Sequence, residues 1–592
     1  MRPALARVLA AAAWTVLAAG EGAAQGRASP VSAVREQRAD SARALRGARQ
    51  AQARFESLRF RNLPWTDDSG GGGRHCDEII GRFCVWHDEE EDDWTPPPEK
   101  EAVRSGRAEL VARLDEAAAR IPGDGWVAGQ RVRYLVQAGR ASDAARAARE
   151  CRAARWWCRA LEGYALHAAG EYGRADSAFT AALEAMPEAE RREWTDFGPV
   201  LPDGDARDLR RMDPAARAAA VRRLWWLADP LWTLPGNDRK TEHFSRLMVD
   251  RFQDRAREVD GIPWGDDLRE IYLRFGEPVG WERIRTPHMT AGRPQVVIHH
   301  APHGSEFFPR LEQVRQPAGA RVDDWLDDDP RRTRTAYLPR AVRSLDGLPH
   351  QAAVFRRGDS VLVVAAFEME HDSLPPAPEL EAGLVLQRDE AAEPRIARTR
   401  VSGRRGVVRL GAPQEEAMLS LEALERTSRR AARARYGVDL RRPAAPGLAL
   451  SDVLLLADSA ARPASLDEAA PLARGTTRFA PGERLGLFWE VYGLDPRADT
   501  LTLAVALSRR GVGGLRRTAE RLGLARAATP VRMRWSEEVE AGAVLPRSLA
   551  IALPDVPDGD YVIEVSVRTR AGATASATRE IRVEREKAQR KP

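Results

Sequence analysis

The sequence predicts a multidomain α + β protein that has N-terminal helical-repeat hairpins, a second helical domain with a small strand layer, and two C-terminal β-sandwiches. Three observations support this prediction. The chain has 592 residues, which is too many for one hydrophobic core. Apolar and small residues recur at helical spacing between residues 101 and 280. From residue 341 they alternate, or run in short blocks between turn residues, as they do in strands.

Residues 1–24 have the pattern of a secretory signal peptide. Arginines at positions 2 and 7 precede an apolar stretch (residues 8–19), and small residues favour cleavage before Gln25. The stretch is shorter than the roughly 20 residues that cross a bilayer, and no later stretch is apolar enough to do so. We therefore expect an exported protein, periplasmic or extracellular, with no transmembrane segment in the mature chain.

The charge of the chain does not indicate a nucleic-acid partner. The formal net charge is +5 and the pI is near 9.2. Arginine nevertheless alternates with acidic residues, as in RSGRAELVARLDEAAAR, so that no continuous positive stripe forms. We expect no nucleic-acid binding.

Residues 25–100 are predicted to be a linker, in which a loose helix from residue 25 to about 60 is followed by Gly-rich, Cys-containing and acidic segments. The four cysteines of the chain form two pairs of near neighbours, Cys76 with Cys84 and Cys151 with Cys158. In an oxidising compartment such spacing predicts two local disulfides. A zinc site that uses His75 and His87 with the first pair is an alternative, although C-x7-C-x2-H is not a standard zinc spacing.

Residues 101–195 resemble tetratricopeptide repeats. The stretch GYALHAAGEYGRADSAFTAALEAMP places small and aromatic residues at the spacings of that repeat, namely Gly163, Gly170, Tyr172, Ala175, Phe179, Ala182 and Pro187. A weaker copy lies 31 residues earlier, and a plain Ala-rich helical bundle is the alternative. The resemblance implies a partner-binding face on the first helices of the hairpins, with Arg131, Tyr134, Tyr164 and His167 as candidate binding residues.

Residues 205–340 are predicted to form three helices followed by short strands. Asp213 and Pro214 start the first helix, and Gly276 and Pro278 end the third. The arrangement resembles the GWxTD domain family, which comprises exported bacterial proteins of no settled function. The matching positions are Trp225 or Trp226, Asp229, Pro230, Asn237, Glu242, Arg246, Trp264, Asp267, Tyr272, Gly276 and Pro278.

The motif that names this family departs from its pattern, because Pro-Trp-Gly-Asp-Asp stands at residues 263–267. The resemblance makes Trp264 and Asp267 candidate binding residues. The structural alternative is that Asp266 or Asp267 caps the following helix while Trp264 packs beneath it. We favour this structural role.

Residues 341–440 and 441–585 are each predicted to form an immunoglobulin-like β-sandwich. Segments such as AAVFRRGDSVLVVAAFEME and GDYVIEVSVRTRAG are separated by turn residues at the intervals typical of sandwiches. The stretch from Glu415 to Met418 is compatible with either a helix or a strand.

The strongest suggestion of catalytic chemistry is HHAPHGSE, in which His299, His300 and His303 are candidate metal ligands. Pro302 and Gly304 favour a strand and a loop, where successive side chains point to opposite faces. No standard hydrolase motif is present, and we predict no cofactor.

The predicted function is therefore that of an exported cell-envelope interaction or scaffold protein that binds protein or glycan partners. An enzyme is the less favoured alternative. It would be an envelope hydrolase with its site near the joint between the GWxTD-like domain and the first sandwich.

Overall fold

The computed structural model of the protein describes residues 30–67, 76–86, 95–285, 296–300, 304–325, 333–442, 447–494, 499–510, 531–539, 544–553 and 556–585. The predicted signal peptide, the acidic run, His75, His87 and His303 lie outside the described residues. Residues 30–325 are mostly helical, whereas residues 344–583 are mostly strands, so the mixed α and β architecture is confirmed. None of the helices in the described part of the chain has the length and apolar character needed to cross a membrane.

The helices, in chain order, are α1 Pro30–Asn62, α2 Glu101–Arg120, α3 Gly125–Gln137, α4 Ala141–Glu150, α5 Arg155–Ala168, α6 Tyr172–Ala185, α7 Glu188–Trp194, α8 Asp203–Arg211, α9 Pro214–Ala228, α10 Asp238–Gln253, α11 Asp266–Phe275, α12 Leu311–Arg315 and α13 Leu466–Ala469. Short 3-10 turns lie at Pro317–Gly319, Val322–Asp324 and Ala470–Leu472.

The strands of the helical half are β1 Trp65–Asp67, β2 Glu78–Ile80, β3 Phe83–Val85, β4 Gly280–Arg285 and β5 Val296–His299. Those of the first strand-rich region are β6 Ser344–Gly347, β7 His350–Arg357, β8 Ser360–Glu368, β9 Glu379–Gln387, β10 Arg395–Ser402, β11 Arg405–Pro413, β12 Glu416–Glu425 and β13 Arg430–Asp439. Those of the second are β14 Ala449–Leu450, β15 Leu454–Leu456, β16 Arg478–Phe479, β17 Arg484–Tyr492, β18 Asp499–Arg509, β19 Val531–Val539, β20 Val544–Ala552, β21 Gly559–Arg568 and β22 Thr574–Val583.

Helices α2 to α6 pack each against the next through small residues. A Cβ atom added at Gly163 would lie 2.9 Å from the ring of Phe179, so the close approach of α5 and α6 requires glycine there. Cys151 ends α4 and is joined to Cys158 in α5. Both predicted disulfides, this one and Cys76 with Cys84, are confirmed.

Helix α1 differs from the linker predicted for residues 25–100. It is 33 residues long and packs along α2. Ala48, Ala51 and Phe55 are buried in the helical core, because their spacing of three and four residues places them on one face of the helix. Residues 30–62 therefore belong to the helical module.

Helix α10 lies at the centre of the helical half, in contact with α3, α5, α6, α9 and α11. The predicted start of α9 is confirmed, since the Asp213 side chain accepts from the N–H groups of Ala215 and Ala216. The Asn237 side chain caps α10 in the same way, because it accepts from the N–H group of Lys240. Beside these helices, β1, β4 and β5 form a three-stranded sheet in the order β1-β4-β5.

Each strand-rich region has two sheets that share one hydrophobic core. In the first, the sheet β10-β9-β12-β13-β6 packs against β11-β8-β7. In the second, β14-β17-β15 with β20 packs against β16-β22-β21-β18-β19. The ambiguous stretch around Met418 is part of strand β12, in which every residue after Glu416 is buried, so both faces of the strand are covered. This two-sheet layout is consistent with the predicted sandwiches.

Candidate functional site

The face predicted to bind a partner is covered by the chain itself. The Tyr134 ring is fully buried, and its hydroxyl donates to Glu56 Oε1 (2.5 Å) and accepts from Gln52 Nε2 (3.0 Å), both on α1. Arg131 is partly exposed and pairs with Asp115 (2.5 Å). Because α1 fills this part of the groove, an external partner does not reach Tyr134.

The other half of the same face is filled by α10. Tyr164 packs edge-on against Phe252 with ring centroids 5.0 Å apart. His167 Nδ1 lies 2.9 Å from Thr241 Oγ1, and His167 Nε2 lies 2.9 Å from Glu242. Burial lowers the pKa of His167, and the neighbouring Glu242 carboxylate partly opposes this shift. These side chains attach α10 to the hairpins, which corrects their predicted role as a free binding face.

Glu242 begins a chain of buried polar contacts that links α5, α10 and α11. Its second oxygen accepts from Arg246 Nε (2.7 Å). Burial by itself would raise the pKa of Glu242, but Arg246 and His167 together hold it well below its usual range. The carboxylate is therefore ionised and paired.

Arg246 closes the C-terminal end of α11. Its guanidinium donates to the carbonyls of Leu273 (3.0 Å) and Arg274 (2.9 Å), which the helix leaves without backbone partners, and to Ala336 O (2.9 Å). Gly276 has φ +89°, and a Cβ atom there would lie 3.0 Å from this guanidinium. Glu242, Arg246 and Gly276 thus serve one buried structural arrangement.

Two further buried residues of α10 differ in whether their polar side-chain groups have hydrogen-bond partners. Asp238 accepts from the Tyr337 hydroxyl (2.8 Å), and burial raises the pKa of Asp238 to about 6. Arg239 is completely buried, with its guanidinium 4.3 Å from the Phe308 ring centroid. None of its three nitrogens has a hydrogen-bond partner among the described residues.

Trp264 and Asp267, near the start of α11, contact different parts of the chain. The Trp264 ring packs on Tyr272 (5.0 Å) and its Nε1 donates to Asp250 (2.8 Å), which confirms its packing role. Asp267 pairs instead with Arg82, accepting from Nε (2.6 Å) and from a terminal nitrogen (2.8 Å).

The predicted cap at Asp267 is therefore corrected. The N-cap position of α11 is Gly265, which has no capping side chain, and Asp267 accepts only the adjacent Leu268 N–H from within the helix. The Arg82 guanidinium holds the pKa of Asp267 far below its usual range. The acid thus fastens the disulfide-closed hairpin β2–β3 to α11.

The candidate metal histidines do not come together among the described residues. His299 pairs with Glu282 on β4 (3.3 Å). His300 packs against Tyr272 and Phe275 of α11, and burial lowers its pKa to about 4. The two neighbours therefore face different elements, as expected for a strand, and within the described ranges no three ligand-type residues are grouped for a metal ion.

Buried hydrogen bonds to the backbone fill part of the joint between α9 and the first strand-rich region. Arg433 donates to Pro230 O (2.7 Å), and Arg435 donates to Asp229 O (2.6 Å). On the same sheet, Glu422 accepts from the N–H groups of Trp232 and Thr233, both at 2.9 Å. The same joint also holds a cleft of about 430 Å³, lined by Arg223 and Trp226 of α9 and by Glu390 and Arg441 of the strand-rich region. The location predicted for the alternative hydrolase site is therefore filled only in part.

A cleft that the sequence analysis did not predict lies between the two strand-rich regions. Its volume is about 590 Å³, and its walls come from β7, β13, β22 and the segments near Asp452 and Thr477. On one wall, the rings of His350 and Tyr436 lie 5.3 Å apart. On the other, Arg579 projects from β22 and donates to Val453 O (2.7 Å) and Ala352 O (2.9 Å).

The cleft keeps its shape because the two regions are packed together beside it. Phe355 of β7 meets Phe488 of β17 with centroids 6.1 Å apart, within a shared apolar cluster. Asp452 accepts from Val354 N (2.9 Å), so the edge of β7 is occupied by the second region. The lining residues lie up to 230 positions apart and form no local motif, so no sequence signal could have grouped them.

Comparison with known proteins identifies neither a family nor a function. No protein-family model matches the chain, and no curated protein is similar to it. Among solved structures, the sporulation control protein Spo0M from Bacillus subtilis is 16% identical over 24% of this chain and 50% of that chain, with a TM-score of 0.16. The PmoD soluble domain from a Methylocystis species is 12% identical over 22% and 89%, with a TM-score of 0.14. A calcium-binding mutant of Bacteroides uniformis beta-glucuronidase 2 is 9% identical over 37% and 26%, with a TM-score of 0.15.

Proposed function

We propose that the protein is an exported cell-envelope interaction protein that binds glycans in the cleft between its two C-terminal sandwiches. The cleft is the observation that carries the proposal. Its volume of about 590 Å³ falls within the roughly 300–1,000 Å³ typical of small-ligand sites. A protein partner would instead need a surface of about 800 Å² on each side.

The lining of the cleft suits a sugar. Tyr436 and His350 supply aromatic surface for the C–H groups of a sugar ring. Thr477 and Thr578 supply hydroxyl groups that both donate and accept hydrogen bonds. Such a mixture of apolar and polar groups matches the two kinds of surface that a carbohydrate presents.

The helical half is proposed to act as a scaffold. We propose that residues 101–195 are tetratricopeptide-like hairpins and residues 205–340 a GWxTD-like domain. The hydrogen-bonded cluster of Glu242, Arg246 and Gly276 supports the second assignment, because residues shared with the family pattern lie together in it. Export is supported by the two disulfides, which are typical of oxidising compartments.

The test is glycan binding by a variant in which the cleft is blocked. Thr578→Trp places a large side chain in the cleft, whereas Thr574→Trp places the same side chain on the same strand outside it. Isothermal titration with a panel of soluble polysaccharides should detect a ligand for the wild type. The affinity for that ligand should be at least tenfold lower in Thr578→Trp and unchanged in Thr574→Trp. Binding that is equal in both variants, or no binding to any glycan, would contradict the proposal.

A further inference from the structure

We infer that the ligand of this cleft is an acidic glycan whose carboxylate pairs with Arg579. The inference rests on the proposed glycan-binding function and adds the chemical class of the ligand. It depends on which charges in the cleft are already paired.

Each described acid that lines the cleft already has an arginine partner. Asp439 pairs with Arg441 (2.8 Å), and Glu580 pairs with Arg510 (2.5 Å). The charge of Asp452 acts on Arg579, but no ion pair joins the two, and the oxygens of Asp452 accept from Arg442 (3.2 Å) and from Val354 N (2.9 Å). The negative charges of the cleft are thus matched by cations other than Arg579.

Arg579 is the lining arginine without a carboxylate partner. Its two hydrogen bonds go to the carbonyls of Val453 and Ala352, which are neutral, and no ion pair joins it to any acid among the residues described. The two carbonyls fix the plane of the guanidinium at the wall of the cleft. A guanidinium has five N–H donors, so donors remain for a ligand after these two bonds.

The geometry of a guanidinium favours a planar acid. Two parallel N–H groups match the two oxygens of a carboxylate, as they do in bidentate arginine–carboxylate pairs. A partly desolvated wall makes such a charged hydrogen bond stronger than it would be in open water. With Tyr436 and Thr578 beside it, the cleft is suited to a sugar ring that carries a carboxyl group, that is, a uronic acid.

The experiment compares oligogalacturonate with its carboxyl-reduced counterpart of equal length, by isothermal titration at low salt. The wild type should bind the acidic form at least tenfold more tightly, and added salt should reduce this difference. Arg579→Gln should bind both forms with the affinity that the wild type shows for the reduced form. Arg582→Gln, an exposed arginine on the same strand, should keep the preference for the acidic form.

The possible failures are distinguishable. Equal binding of both forms by the wild type would overturn the acidic ligand and leave glycan binding intact. Binding of neither form, together with tight binding of a peptide through its C-terminal carboxylate that Thr578→Trp abolishes, would overturn both proposals. If Arg579→Gln does not fold, the wild-type comparison still decides whether the ligand is acidic, and loss of the acidic preference in Arg579→Lys, which keeps the charge but not the paired N–H groups, tests the role of Arg579.

Discussion

Two buried arginines on α10 provide the sharpest test of the physical argument. Arg239 and Arg246 lie two turns apart on one helix, and both are nearly or completely buried. Arg246 has four polar contacts, to Glu242 and to three carbonyls. Arg239 has no hydrogen-bond partner among the described residues. Replacing each with methionine keeps an unbranched apolar stem while removing the guanidinium and its charge.

The changes that the two substitutions cause in the free energy of unfolding should differ in sign or by several kcal/mol. Arg246→Met leaves the ionised Glu242 buried beside only His167, and breaking a buried ion pair in this way typically costs about 3–5 kcal/mol. Arg239→Met removes a buried cation that has no hydrogen bonds, which should stabilise the folded state by about 1–3 kcal/mol. The same substitution removes the cation–π contact with Phe308, which should destabilise the folded state by about 1–2 kcal/mol. We therefore expect Arg239→Met to change the free energy of unfolding by less than about 1 kcal/mol, or to increase it.

The measurement is urea unfolding followed by tryptophan fluorescence, supported by hydrogen exchange of α10 and α11. Trp194 and Trp225 are buried in the helical core and report its unfolding. Exchange at residues 266–275 should accelerate in Arg246→Met only, because that arginine closes the end of α11. Equal losses of stability in the two variants would refute the reasoning, since their hydrogen-bond partners would then be irrelevant.

Two further predictions concern the acids Asp238 and Asp267. Burial raises the pKa of Asp238 from 3.8 to about 6, so the folded state holds its proton more tightly than the unfolded state does. This contribution to stability is complete below pH 3.8 and is lost as the pH rises through 6, so Asp238→Asn should gain stability relative to the wild type between pH 4 and 7. Parallel pH profiles of unfolding would contradict this. For Asp267→Ala, deuterium uptake should rise in the hairpin 78–85, because Arg82 loses its partner, while the free energy of unfolding changes by less than about 1 kcal/mol. Faster exchange confined to the first turn of α11 would instead indicate the capping role.

The sequence alone determined features that depend on near neighbours. The start of α9 at Pro214 follows from Asp213 and the proline after it, and the two disulfides follow from cysteines seven and eight residues apart. The strand-rich character of residues 344–583 follows from alternation within short segments. In each case the decisive interaction lies within a few residues along the chain, so the local pattern carries the information.

Only the tertiary structure decided what each surface faces. His167 is buried because Thr241, 74 residues away, meets it, and Arg246 closes α11 together with Ala336, 90 residues away. Asp267 was mistaken for a cap because Arg82, 185 residues away, supplies its partner. Arg579 and Ala352 are 227 residues apart and become neighbours only when the two sandwiches pack. An amphipathic pattern predicts that the apolar face of an element is buried, but it does not predict which element covers that face. Hydrophobic burial is non-directional, so any complementary apolar face can satisfy it.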